Sequence, residues 1–119
     1  MAEYLLDTSF LIDLINGEER VSRIHEETRG EQATSTVCVY ELSKFDGFEA
    51  SSIEEKRVLR FSSNDADKAG ETYRSLSETG EPVGETDTMI AGVALNRGLT
   101  LVTRDADFDR VDGLDTLSY

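Results

Sequence analysis

The chain has 119 residues, with 25 acidic against 12 basic side chains and a formal net charge of −13. Such a length suits one domain that buries roughly two thirds of its unfolded surface, and no run of about eighteen apolar residues is present to span a membrane. The charge argues on its face against a polyanionic partner, while 38% hydrophobic residues in periodic order exclude a disordered acidic chain.

In chain order, Tyr4, Leu5 and Leu6 form a β-prone run too short for a helix, which predicts a buried strand at about 3–7. Phe10, Leu11, Leu14 and Ile15 then recur at helical spacing, predicting a helix from about 8 to 16 with Asn16-Gly17 as its stop. A second helix is expected through "EERVSRIHEETRG", ending at Gly30. "QATSTV" reads as a strand and "CVYELSKF" as a short helix, while "KRVLRFSS" could be a strand or the end of a helix begun at Ser52. "NDADKAGETYRSLSETG" opens with cap residues and closes with Gly80. After Pro82, the only proline, "TDTMIAGVALNRG" repeats the helical pattern, and "LTLVT" is an apolar strand. Alternating short strands and helices argue for βαβ units, a parallel sheet covered on both faces, and a single domain over 1–119 with binding groups at the carboxyl ends of strands.

Four acids break the apolar pattern at such places. Asp7 follows the first strand, where its plainest role is an N-cap, with Thr8 or Ser9 as alternatives. Glu41 shares a helical face with Val37, Cys38 and Phe45, so it needs a partner, and Lys44 is three residues away. Asp87 precedes Met89, Ile90, Val93 and Ala94 much as Asp7 precedes its own apolar helix, although Thr86 or Asp87 could simply cap. Asp105 lies two residues past Thr103, just beyond the last clear strand. Asp107 and Asp109 follow, but Arg110 and Thr116 stand where a calcium loop needs Gly and Glu, so Asp109 is expected to be solvated.

Like charges gathered at one edge raise each other's pKa unless a hard cation neutralises them. Mg²⁺, or Mn²⁺, is the natural candidate. Zinc is disfavoured because His25 is the only histidine and Cys38 the only cysteine; His25 reads as an exposed helix residue. Cys38 sits between Val37 and Val39 as a small buried side chain and cannot form an internal disulfide.

The motifs "LLDTSFLIDL", "VYELSKF", "GETDTMIAGVAL" and "LVTRDADFDRV", in this order and over nearly the whole chain, resemble the PIN-domain ribonucleases, and among them the VapC-like toxins of type II toxin-antitoxin pairs. The resemblance implies a three-layer α/β/α sandwich around a central parallel sheet. Residue by residue, it places Asp7, Glu41, Asp87 and Asp105 on the family's acidic catalytic and metal site, with Asp107 as an auxiliary ligand and Ser9 and Thr103 as supporting hydroxyls. Asp7, Asp87 and Asp105 then act mainly as ligands, and Glu41 as a ligand or water-orienting base.

The implied activity is Mg²⁺-dependent endonucleolytic hydrolysis of RNA. The implied partners are an RNA substrate, a small VapB-like antitoxin and a second copy of the chain in a homodimer. Arg97 and Arg104, near the expected edge, are candidate RNA contacts. A glycine expected after the "EL" motif is displaced to Gly47, and "DGFEASSIEEKRVLRFSS" looks shorter than in relatives, where this region helps form the projecting helices near the antitoxin and dimer surfaces.

A PIN nuclease that processes RNA without an antitoxin is the nearest alternative. A phosphoacceptor module would need paired acids at the first strand and a lysine near the last, and the chain has neither; a non-catalytic PIN fold would not need all four acids. The acidic surface is reconciled with RNA by composition: nine Arg against three Lys amid many acids resembles proteins of salt-loving organisms, and at about 1 M salt the Debye length falls to roughly 3 Å. Without the basic start and apolar stretch of a signal peptide, the expected location is cytoplasmic.

Overall fold

The structure is a computed structural model that describes residues 2–53 and 56–119. Strand β1 (Tyr4–Leu6) leads into α1 (Thr8–Ile15) and α2 (Glu19–Glu27); β2 (Gln32–Ser35) leads into α3 (Thr36–Ser43), a 3-10 turn (Ala50–Ile53) and β3 (Arg57–Leu59). Helices α4 (Ser63–Glu78) and α5 (Glu85–Arg97) follow, then β4 (Thr100–Thr103), a second 3-10 turn (Ala106–Arg110) and β5 (Thr116–Ser118). The strands form one parallel sheet in the order β3-β2-β1-β4-β5.

Right-handed crossovers put α1, α2 and α3 on one face as the chain steps from β1 to β3. The return from β3 to β4 puts α4 and α5 on the other. The packing of α1 on α2 and α3, and of α4 on α5, follows this grouping, giving the expected three layers. The core between them is aliphatic with two buried rings, and Leu5, Leu6, Phe10, Leu11, Ile90, Val93, Leu101, Val102 and Phe108 are all fully or almost fully buried. At the α4–α5 crossing, Gly92 lies so close to Ala69 that an added Cβ would stand 2.8 Å from the Ala69 backbone nitrogen. Only glycine permits that approach.

Several boundaries differ from the sequence expectation. The second helix stops at Thr28, and Gly30 turns the chain with φ +87°. Ser35 ends β2 early because its hydroxyl accepts the Cys38 N–H and caps α3. The ambiguous "KRVLRFSS" contains β3, and Ser62 with Asp65 forms a capping box that starts α4. The helix considered from Ser52 is a short 3-10 turn up to Ile53 and a strand from Arg57, with residues 54 and 55 outside the described ones. Strand β5 was not anticipated: "TLS" is too short to stand out from a polar tail, yet it completes the edge beside β4. Among the described residues, no helix is long and apolar enough to cross a membrane.

Candidate active site

The strand order reverses direction between β1 and β4, both of which end at the same edge. In open parallel sheets that crevice is where ligands bind. Leu6 pairs with Val102, and the Asp7 N–H donates to the Val102 carbonyl at 3.1 Å, so Asp7 and Thr103 emerge side by side.

Asp7 caps α1, as its plainest reading suggests, but the cap accounts for only one oxygen. Oδ1 accepts the Thr8 N–H at 2.8 Å; Oδ2 accepts the Ser9 hydroxyl at 3.0 Å and the Thr103 hydroxyl at 2.7 Å. The residue is only 4% exposed. Burial pushes its pKa up, and repulsion from Glu41 adds to this, while the donors from Thr103, Ser9 and Thr8 pull the other way. Thr103 Oγ1 in turn accepts the Asp105 N–H at 3.0 Å, and Asp105 Oδ1 accepts the Asp107 N–H at 2.9 Å. One chain of hydrogen bonds therefore orders the loop after β4 around Asp7.

Glu41 projects from α3 and is not paired with Lys44, whose ammonium lies over the Tyr40 ring at 5.0 Å. Two hydroxyls hold it instead: Thr8 donates to Oε1 at 2.7 Å and Thr86 to Oε2 at 2.8 Å. This ties α3 to the starts of α1 and α5. Thr8 and Thr86 were missed as site residues, although each adjoins a candidate acid in sequence, which was the available signal. Phe45, expected on the same apolar stripe, is exposed.

Asp87 is not a helix cap, and neither is Thr86, because α5 begins one turn earlier with Gly84 at its cap position. Among the described residues, no hydrogen bond fixes the Asp87 carboxylate. Partial burial, with repulsion from Asp7, Asp105, Glu41 and Asp107, pushes its pKa up to about 6. The acids from β1, α3, α5 and the loop after β4 thus share one electrostatic neighbourhood, and none of the ion pairs among the described residues involves Asp7, Glu41, Asp87 or Asp105.

The donor set is all oxygen, which suits a hard cation such as Mg²⁺ and not zinc. In this arrangement no three Asp, Glu, His or Cys side chains among the described residues are drawn tightly enough to grip one ion together. Asp7 and Glu41 are held by their hydroxyl donors, so tightening falls to the unanchored Asp87 and to Asp105.

The two arginines part company. Arg97 ends α5, about 15 Å along the helix from Asp87 at 1.5 Å per residue, and its guanidinium donates to buried Asp65 at 3.0 and 3.2 Å and to the Arg60 carbonyl at 2.9 Å. Arg97 neutralises Asp65, whose side chain is fully buried. Arg104 stays beside the acids, between Thr103 and Asp105, and pairs with Asp13 at 2.8 Å. Cys38 is buried and free as expected, His25 is only partly exposed, and Asp109 is exposed.

The PIN domain family model matches residues 4–114. The chain is 33% identical to the tRNA(fMet)-specific endonuclease VapC of Shigella flexneri over 98% of its own length and 97% of that protein's, and 30% identical to the ribonuclease VapC2 of Haemophilus influenzae over 100% and 99%. Its fold superposes on the DNA-bound VapBC of Salmonella typhimurium with a TM-score of 0.88 at 25% identity, covering 99% and 98% of the two chains, and on the DNA-bound VapBC2 of Rickettsia felis with a TM-score of 0.87, covering 98% of each. With its acids at the reversal point of a parallel sheet and relatives matched along their full length, the chain belongs to the PIN-domain family, in its VapC-like branch.

Proposed function

We propose that the chain is a divalent-metal-dependent endoribonuclease, one PIN-like domain acting in the cytoplasm as the toxin of a VapB–VapC pair. The observation that carries the reading is the gathering of Asp7, Glu41 and Asp105 around Asp87, whose pKa is pushed up to about 6 by partial burial and by these charges, with none of the ion pairs among the described residues reaching these four acids. Relatives named as VapC endonucleases support the reaction class, and neighbours solved as VapBC complexes support a VapB-like antitoxin as partner.

Asp7, Asp87 and Asp105 are the residues to hold Mg²⁺ or Mn²⁺, with Glu41 and Asp107 as further ligands. When bound, the ion supplies Lewis acidity to the phosphodiester and to a water. The chain's own residues do the rest. Ser9, Thr103 and the Thr8 N–H fix both oxygens of Asp7 in advance, so little ordering is left for the moment of binding. Each Glu41 oxygen accepts one hydroxyl and keeps a lone pair that can orient a water or take its proton.

Incubating the purified protein with total RNA, with Mg²⁺ and then with chelator, tests the reading. Cleavage is expected with Mg²⁺ only, and Asp7→Asn is expected to abolish it with the circular dichroism of the fold intact. Undiminished cleavage by Asp7→Asn, or in chelator, would remove the site. Expression of the chain alone is expected to arrest growth and co-expression of a small VapB-like protein to relieve it; arrest that no such protein relieves points to RNA processing outside an antitoxin pair.

A further inference from the structure

The acidic site of a chain with net charge −13 must admit a polyanion, and the side chain built to help is Arg104. Its Nε donates to Asp13 Oδ2 at 2.8 Å, and the Tyr119 hydroxyl donates to the same oxygen at 3.0 Å. Tyr119 is itself set in place. It follows Ser118, which pairs with Thr103 in the sheet, and its ring stands edge-on to buried Phe10 at 5.6 Å between centroids and 83° between planes. Burial first, and then the nearby Asp13 charge, push the Tyr119 pKa further above its ordinary value, so the phenol is a proton donor at any working pH.

The clamp uses only Nε. The Arg104 side chain is 54% exposed, and its hydrogen bond among the described residues is made by Nε, which leaves the terminal nitrogens suited to a phosphate. Asp13 lies six residues beyond Asp7 on α1, about 9 Å along the axis at 1.5 Å per residue. That distance sets Arg104 apart from the reacting group.

We infer that Arg104 binds a backbone phosphate flanking the scissile one, and that Asp13 and Tyr119 are positioning residues that hold its guanidinium for that contact. The inference rests on the nuclease reading above and deepens it by assigning substrate contact to one edge of the site. A salt bridge that served only to fasten β4 to α1 would not need a tyrosine from beyond β5, anchored on the core ring of the same helix, to share the carboxylate oxygen. Nor would it leave more than half of the arginine side chain exposed.

The test uses the full chain with Mg²⁺ and a transcript of the RNA it cuts in the total-RNA experiment. Arg104→Ala is expected to raise KM about tenfold, the loss of one charge-assisted contact, with kcat within about twofold, and to flatten the dependence of log(kcat/KM) on log[salt] by about 0.7, the signature of one phosphate contact to a single strand. Tyr119→Phe is expected to raise KM about threefold in the otherwise unaltered chain and not at all in the Arg104→Ala background, because it acts through the arginine. Arg104→Lys should recover the salt dependence and only part of the KM. Unchanged KM and salt dependence in an active, folded Arg104→Ala variant overturns this inference alone, as does a Tyr119→Phe effect of equal size in both backgrounds. Absence of cleavage by the unaltered chain overturns the nuclease reading beneath it.

Discussion

Replacing Asp87 by Asn should make the metal-free protein more stable while disabling it. The carboxyl rises from the ordinary 3.8 to about 6 on folding; at about 1.4 kcal/mol per pH unit this is a penalty of order 3 kcal/mol for the ionised form. Partial exposure screens it, and about 1 to 2 kcal/mol is the expected remainder. The sign follows from proton binding. An acid whose folded pKa is raised holds its proton more tightly in the native state, so native stability falls as pH climbs from 3.8 to about 6 and stays depressed above.

Asn carries no such penalty and nearly the same volume. Thermal unfolding followed by circular dichroism in chelator at pH 7.5 should therefore place Asp87→Asn roughly 4 to 8 °C above the unaltered chain, and at pH 3 the two should coincide. Saturating Mg²⁺ should narrow or reverse the gap, because binding stabilises only the chain that retains its ligand. Equal stability of the two chains at pH 7.5 in chelator, or a gain as large at pH 3, refutes the picture of mutually repelling carboxylates.

Removing Arg97 leaves buried Asp65 uncompensated, so Arg97→Ala should cost about 3 to 5 kcal/mol in urea unfolding. Burial alone would raise the Asp65 pKa, but Arg97, the Ser62 N–H and Asn96 overcome it and hold the carboxyl at about 2; the pair's stabilisation should be complete above the ordinary 3.8 and drain away as pH falls toward 2, as acid titration of unfolding would show. Gly92→Ala drives a methyl into Ala69 and should cost about 1 to 3 kcal/mol, with Gly92→Val worse, measured by the shift of the urea midpoint. Thr86→Val removes a donor at 2.8 Å from Glu41 and should lower kcat several-fold with little change in melting temperature, measured on the RNA cut by the unaltered chain.

Local signals in the chain were sufficient for the strands that end in acids, the capped helices and the alternation that implies a parallel sheet. An apolar run that stops at Asp7 or at Thr103, and helical spacing that begins after Asp87, are properties of consecutive residues, and hydrophobic burial acts on them wherever they fall. Strand β5 escaped notice because "TLS", unlike the "YLL" of β1, holds a single apolar residue between two polar ones; only the edge of β4 gives it a place.

The motif order pointed to Asp7, Glu41, Asp87 and Asp105, but how each is held could not be read from it. Lys44 was the nearest cation to Glu41 along the helix, yet hydroxyls from residues 33 and 45 positions away hold it. The packing of α4 against α5 sets Arg97 on Asp65 from 32 positions away, while Tyr119 reaches Asp13 from 106 positions away. Hydrogen bonds and charge pairs depend on separations of a few ångströms, which the sequence does not encode locally. Only the strand order and the helix layers decide which distant side chains meet.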